Sequence, residues 1–292
     1  MDRKVYFGNS VKQMWIPAPK TGLNASSQAF FTDTQLLTGR AYLRRSAANH
    51  RRFSPAWIGA LNADSASDSL HTIKDYFDGL YGDGPFYWLD PFAIDTNLLP
   101  PNWAAPMLSL NDWSPISSIG TQALVDTPAN TRDYPYKSLE LTFGASISES
   151  TKTVRIIIPT GHKLHFGWHG EQVSGDASVY LRAYPRSGGA PTDFLADPLA
   201  VTSAIRTNES VSGNTYSMVD IIIKNPTASA SVIEIAGMIA QVLPETDSVA
   251  QGGFISGRGT MGLQFSSAPS ITYISSKLNS GFVELATDFI EE

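Results

Sequence analysis

Cysteine is absent from this 292-residue chain, which rules out disulfides and thiolate metal sites and leaves packing and hydrogen bonding to hold the fold. Charge is scarce as well: Asp, Glu, Lys and Arg together make up 16% of the residues, against about a quarter in an average globular chain. The balance is acidic, with a net charge of -6. Neutralising nucleic-acid phosphates needs clustered Lys and Arg, so this balance argues against direct, sequence-specific nucleic-acid binding. Long apolar runs are missing too. No stretch approaches the about 20 residues that cross a bilayer, and the opening residues from Met1 to Asn9 lack the apolar core of a secretory signal. The expectation is a protein made in the cytosol with no membrane span.

What is present points to β structure. Hydrophobic residues reach 42%, enough for a globular core, and the length allows two ordinary domains or one large β unit. The 23 Gly and 18 Pro, with many Ser and Thr, imply short strands joined by numerous turns. Low surface charge suits a subunit covered by other subunits, because interface cores are depleted in charge. It suits a self-standing sandwich equally well.

The stretch from Ser65 to Pro106 is the most distinctive. Ser65 with Asp68 three residues on reads as a helix cap, and Leu70, Ile73, Phe77 and Leu80 fall on one stripe at helical spacing. Gly82 and Gly84 end the pattern, and an extended aromatic run, Phe86, Tyr87 and Trp88, follows before Asp90-Pro91. A Pro- and Asn-rich loop carrying Trp103 comes next.

Short β-favouring segments fill residues 4 to 62, and a regular series of strands runs from about 110 to 244, punctuated by Pro159-Thr-Gly161, Ser187-Gly-Gly189 and Ser212-Gly-Asn214. The last strand pattern, Gly281 to Glu292, reads as completing a sheet of the first domain. The expected organisation is therefore a discontinuous domain of residues 1–110 and 250–292 with a β-sandwich of residues 111–249 inserted in it. The inserted segment resembles jelly-roll carbohydrate-binding modules on Pro159, Gly161, Phe166 and Trp168.

Val5-Tyr-Phe-Gly-Asn9 and Gly82-Asp-Gly-Pro-Phe-Tyr-Trp-Leu-Asp-Pro91, in this order of modules, resemble minor tail proteins of long-tailed phages of actinobacteria, of the distal tail type. The resemblance implies a mainly β fold: a β-sandwich-like ring-forming domain with one short helix, plus an outward-facing sandwich. It also implies a homo-oligomer, a hexameric ring around the tail channel, with the tail tube and the tail-tip hub as partners and the virion tail tip as location. The return of about 40 terminal residues to the first domain departs from that pattern.

Several side chains are candidates for the work. Arg40, Arg44 and Arg45, with Arg51 and Arg52, lie between Asp33 and Asp64 with no acidic residue among them. They read as a subunit-interface or nucleic-acid-facing strip, or as a solvated strand edge that discourages unwanted pairing. Phe86, Tyr87, Trp88 and Trp103 are candidates for the ring contact or for the junction of helix and sheet, since aromatics dominate both cores and interfaces. Trp168, with Tyr180 and Tyr184, is the candidate for stacking on a host-surface glycan.

Other patterns point to little chemistry. Gly257-Arg-Gly-Thr-Met-Gly262 spells a dinucleotide fingerprint, but strand and turn residues follow it where a helix is required, so no cofactor is expected. His162, His165 and His169 are close in sequence. On a strand only His165 and His169 share a face, so surface imidazoles are expected rather than a metal site. No serine sits in a nucleophile-elbow context, and the chain reads as non-enzymatic.

Overall fold

The computed structural model describes residues 4–20, 26–27, 31–35, 41–45, 51–60, 70–90, 93–106, 119–127, 134–150, 153–249, 251–275 and 282–291. It is mainly β, with two short helices among these residues. The chain divides into two units, Met1–Phe86 with Gly262–Glu292, and Tyr87–Met261. Residues from Tyr87 to Pro106, expected with the first unit, go with the second.

The first unit opens with a hairpin of Lys4–Gly8 and Gln13–Pro17. Asn9 makes the turn, its Oδ1 accepting from the amides of Val11 and Lys12 at 2.9 and 3.0 Å, a local bond that Asn is suited to supply. Its Nδ2 donates to the Tyr81 carbonyl at 2.9 Å, tying the hairpin to the turn that follows the helix. That helix runs His71–Phe77, and its proposed Ser65 cap lies outside the described residues. Leu70, Ile73 and Tyr76 are buried, while Phe77 and Leu80 are exposed. The stripe departs from the expected one because the helix stops at Phe77 and Gly79 turns the chain with φ 79°, which takes Leu80 off the helical face.

Residues from both ends of the sequence build the sheets of this unit. Phe282–Ala286 pairs with Ala56–Ala60 and with Ser270–Ser275. Phe289–Glu291 pairs with Arg51–Phe53 and Leu263–Phe265. Arg51 grips Glu291 through two hydrogen bonds of 2.6 and 2.5 Å. Of the basic strip, Arg44 and Arg45 lie in the strand Ala41–Arg45, paired with Phe31–Gln35, and Arg40 lies outside the described residues. Phe86 stacks on Phe7 at 5.6 Å and meets Tyr76 and Phe265 edge-on.

The second unit is a sandwich of two antiparallel sheets. One has the order Glu209–Ser212, His162–Ser174, Ser231–Pro244, Lys137–Phe143, Ile119–Asp126. The other has the order Ser148–Glu149, Tyr216–Asn225, Ser178–Pro185, Thr192–Ala196, with Val154–Ile157 also paired to Tyr216–Asn225. Alternation sends Leu139, Leu141, Phe166 and Trp168 of the first sheet and Leu181 and Ile221 of the second into the shared core, all fully buried.

Around Met238 and Ala240 the other face of the first sheet is covered by chain rather than by water. Asn97, fully buried, fastens this cover: its Nδ2 donates to the carbonyls of Met238 and Ile255, and its Oδ1 accepts from the amides of Leu99 and Ala240. The helix Pro101–Ala104 follows, with Pro at its first position and Trp103 buried. The Gly-rich run explains itself here. The Arg258 amide bonds the Asn97 carbonyl and the Gly259 amide the Leu99 carbonyl. A Cβ on Gly259 would lie 1.5 Å from the Leu98 carbonyl oxygen, and one on Gly257 would lie 2.3 Å from that of Leu99. Those glycines permit two backbones to touch, a role unconnected with phosphate binding.

Candidate functional site

Every second residue of Ser178–Pro185 points away from the sandwich core, which brings Tyr180, Arg182 and Tyr184 to the outer face of the second sheet. The neighbouring strands supply partners in register. Arg182 stands opposite Asp220 and Asp193, and Arg155 opposite Asp220. Arg155 grips Asp220 in a fork of 2.6 and 2.7 Å, and the Tyr184 hydroxyl donates to the same carboxylate at 2.8 Å. The Arg155 guanidinium lies over the Tyr184 ring at 5.0 Å and over the Tyr87 ring at 5.8 Å. Arg182 binds Asp193 at 2.8 Å and Glu149 at 2.8 and 3.0 Å. Lys224 reaches Asp193 at 2.9 Å and lies 5.5 Å over the Tyr180 ring.

This face carries three cations and three carboxylates, each engaged with an opposite charge. Hydrogen bonds from Arg182 hold the carboxyls of Asp193 and Glu149 below their usual range. Burial, then the Asp220 contact, pushes the Tyr184 hydroxyl up, and burial does the same for Tyr180. The result is an electroneutral surface of tyrosine rings and paired charges. Such a surface suits a neutral polyhydroxyl compound better than an ion, since a charged ligand would have to break an existing pair.

Trp168 is not part of it. The ring is fully buried between the sheets and donates its indole N–H to the Ala196 carbonyl at 2.8 Å, so no sugar can reach it. Alternation along the strand favoured either face, and the partner carbonyl inside decided it. Phe86, Trp88 and Trp103 are likewise buried within the chain, which removes them as exposed contact residues, while Tyr87 is half-buried beside Arg155. The cavity near Trp88, Leu98, Arg155 and Thr260 measures about 10 Å³, room for about one water.

The histidines also differ from expectation. His165 and His169 are buried, and only His162 is partly exposed. His169 lies 4.4 Å from the Tyr134 ring, with its two nitrogens each 3.3 Å from a backbone carbonyl, those of Ala200 and Arg206. No cluster of three or more metal-ligating side chains occurs among the described residues. His165 faces Ser210 instead: the serine Oγ is 2.9 Å from Nδ1. Burial foremost, then Lys163, pushes the His165 imidazole down, and the charges of Asp247 and Glu245 partly offset this.

A last charged feature lies on the first sheet. Glu140, Glu234 and Glu171 stand in one cross-strand row. Burial, then the two neighbouring carboxylates, pushes the Glu234 carboxyl up.

No family model matches the sequence, and no curated protein is similar to it. Among the described residues, no helix is long and apolar enough to cross a membrane.

Proposed function

We propose that this chain is a structural component of a phage tail tip, which assembles with copies of itself, as a hexamer, into a ring joining tail tube to tip. Its work is assembly, not turnover of a substrate. One observation carries the reading. The first segment, Val5 to Asn9, and the opening half of the second, Gly82 to Phe86, lie in one small β unit built from both ends of the sequence, with Phe7 stacked on Phe86 and Asn9 bonded to the carbonyl of Tyr81 just ahead of that half. A whole sandwich is inserted between them and the closing strands. Edge strands of such a unit are removed from solvent when copies close a ring. The test is native mass spectrometry of the full chain, followed by negative-stain imaging. A discrete multiple of 31.6 kDa with a central hole is the expected result. A monomer at all concentrations, also in the presence of tail-tube protein, overturns the reading.

A second reading is favoured by the outer face of the sandwich: a host-surface carbohydrate site using Tyr180 and Tyr184. A glycan array probed with the full chain tests it. Binding to neutral glycans that Tyr180→Ala weakens supports this reading, and silence across the array removes it.

A further inference from the structure

We propose that Ser210 is an acyl-accepting nucleophile for short-chain acyl esters, with His165 as its base. The argument begins with register. Ser210 and His165 are directly opposite residues of paired antiparallel strands, and their side chains meet at 2.9 Å, Oγ to Nδ1. The two partners have opposite exposures. Ser210 is open to solvent on Glu209–Ser212, the outermost strand of its sheet among the described residues, while His165 is only 1% exposed. A reagent can therefore reach the hydroxyl but not the ring behind it.

Gln241 stands opposite His165 on the other flanking strand and is equally buried. The buried atoms without a hydrogen-bond partner include His165 Nε2, Gln241 Oε1 and Glu245 Oε2. The charged groups acting on the ring are Lys163, Glu245 and Asp247. With the proton on Nε2, the Nδ1 lone pair faces the serine hydroxyl. The imidazole is held neutral by burial, so at neutral pH it is ready to take a proton, and the carboxylates stabilise the imidazolium once formed. Nucleophile and base thus meet across two paired strands within hydrogen-bond reach, the pairing that activates a hydroxyl.

In the reaction, Ser210 Oγ attacks the ester carbonyl carbon while its proton passes to His165 Nδ1. The tetrahedral centre collapses, the bond to the alcohol oxygen breaks, and the leaving alkoxide takes the proton from Nδ1. The products are acyl-Ser210 and the free alcohol. The developing oxyanion faces solvent on an open strand, so capture of one acyl group is expected in place of rapid turnover. This chemistry is additional to the assembly role and does not depend on it.

The test treats the full chain with p-nitrophenyl acetate at neutral pH and maps acetylated peptides by mass. Acetyl should accumulate on Ser210 roughly 100-fold faster than on Ser212 or Ser217, the low end of what a positioned base supplies. His165→Gln should remove that advantage, and Ser210→Ala should remove the label. The wild-type rate should level off above an inflection below the ordinary imidazole value. This pH profile decides the matter if His165→Gln fails to fold. Equal labelling of the three serines, labelling unchanged by His165→Gln, or a rate that climbs with hydroxide without an inflection would overturn the proposal.

Discussion

Replacing Asn97 should be among the most costly single changes in the sandwich unit. The side chain is fully buried and makes four hydrogen bonds, giving two from Nδ2, to the carbonyls of Met238 and Ile255 at 3.0 and 2.8 Å, and receiving two at Oδ1, from the amides of Leu99 and Ala240 at 3.2 and 3.1 Å. Asn97→Ala leaves two amides and two carbonyls without these partners. At about 1 kcal/mol for each bond the loss is about 4 kcal/mol, at the severe end for one residue. Asn97→Asp keeps the acceptor side but turns a carboxylate oxygen toward two carbonyls, which raises its folded-state pKa. The stability its protonated form supplies is then complete below about pH 4 and lost as pH rises through the folded value. Urea unfolding measures the total. Hydrogen exchange at the Leu99 and Ala240 amides locates it. A loss below 1 kcal/mol for Asn97→Ala, or an Asn97→Asp variant whose stability deficit is the same at pH 4 and pH 7, would refute the reasoning.

Glu234→Gln should stabilise the protein by about 0.2–1 kcal/mol at pH 7, because it removes a like charge from between Glu140 and Glu171. Glu234 has a raised folded pKa, so its own contribution is present below its unfolded value and lost as pH rises through the folded one. The gain from Gln therefore vanishes near pH 3, and urea midpoints at the two pH values check this. Gly259→Ala forces a Cβ to within 1.5 Å of the Leu98 carbonyl and should cost about 3 kcal/mol. Gly188→Ala, with nothing within 4 Å but a φ of 79°, should cost about 1 kcal/mol; thermal melts of the pair separate crowding from backbone strain. Glu291→Gln weakens a largely buried fork to Arg51 and should cost about 3 kcal/mol, read as lost amide protection in Arg51–Phe53.

The β class was legible because turn residues and alternation are local signals, and Leu70 and Ile73 sit inside as their spacing implies. The failures have a common cause in partners distant in sequence. Trp168 reads as a wet aromatic until the Ala196 carbonyl, supplied by the facing sheet, accepts its N–H. The Gly257–Gly262 run is not read as a nucleotide loop, because no helix follows it, but its packing role shows only once the backbone of Leu98 and Leu99 is laid against it. Tyr180, Arg182 and Tyr184 share one strand and so one face, but the charges that engage them come from four others. Ser210 and His165 are 45 residues apart, and no local pattern joins them.

The fork between Arg51 and Glu291 closes a sequence separation of 240 residues, and this has a consequence for the order of events during synthesis. At roughly 5–20 residues per second the ribosome needs about 12–48 s to cover that distance. The strand Arg51–Phe53, already able to pair with Ser26–Ser27, must wait that long for Phe289–Glu291, whereas every strand of the sandwich is complete before Phe289 is made. The sandwich can thus fold first. Once it has, Phe86 and Leu263, which exchange two backbone hydrogen bonds, need no longer search for one another through a free loop of 176 intervening residues. Folding of the inserted segment first thus lowers the entropy of closing the loop between Phe86 and Leu263.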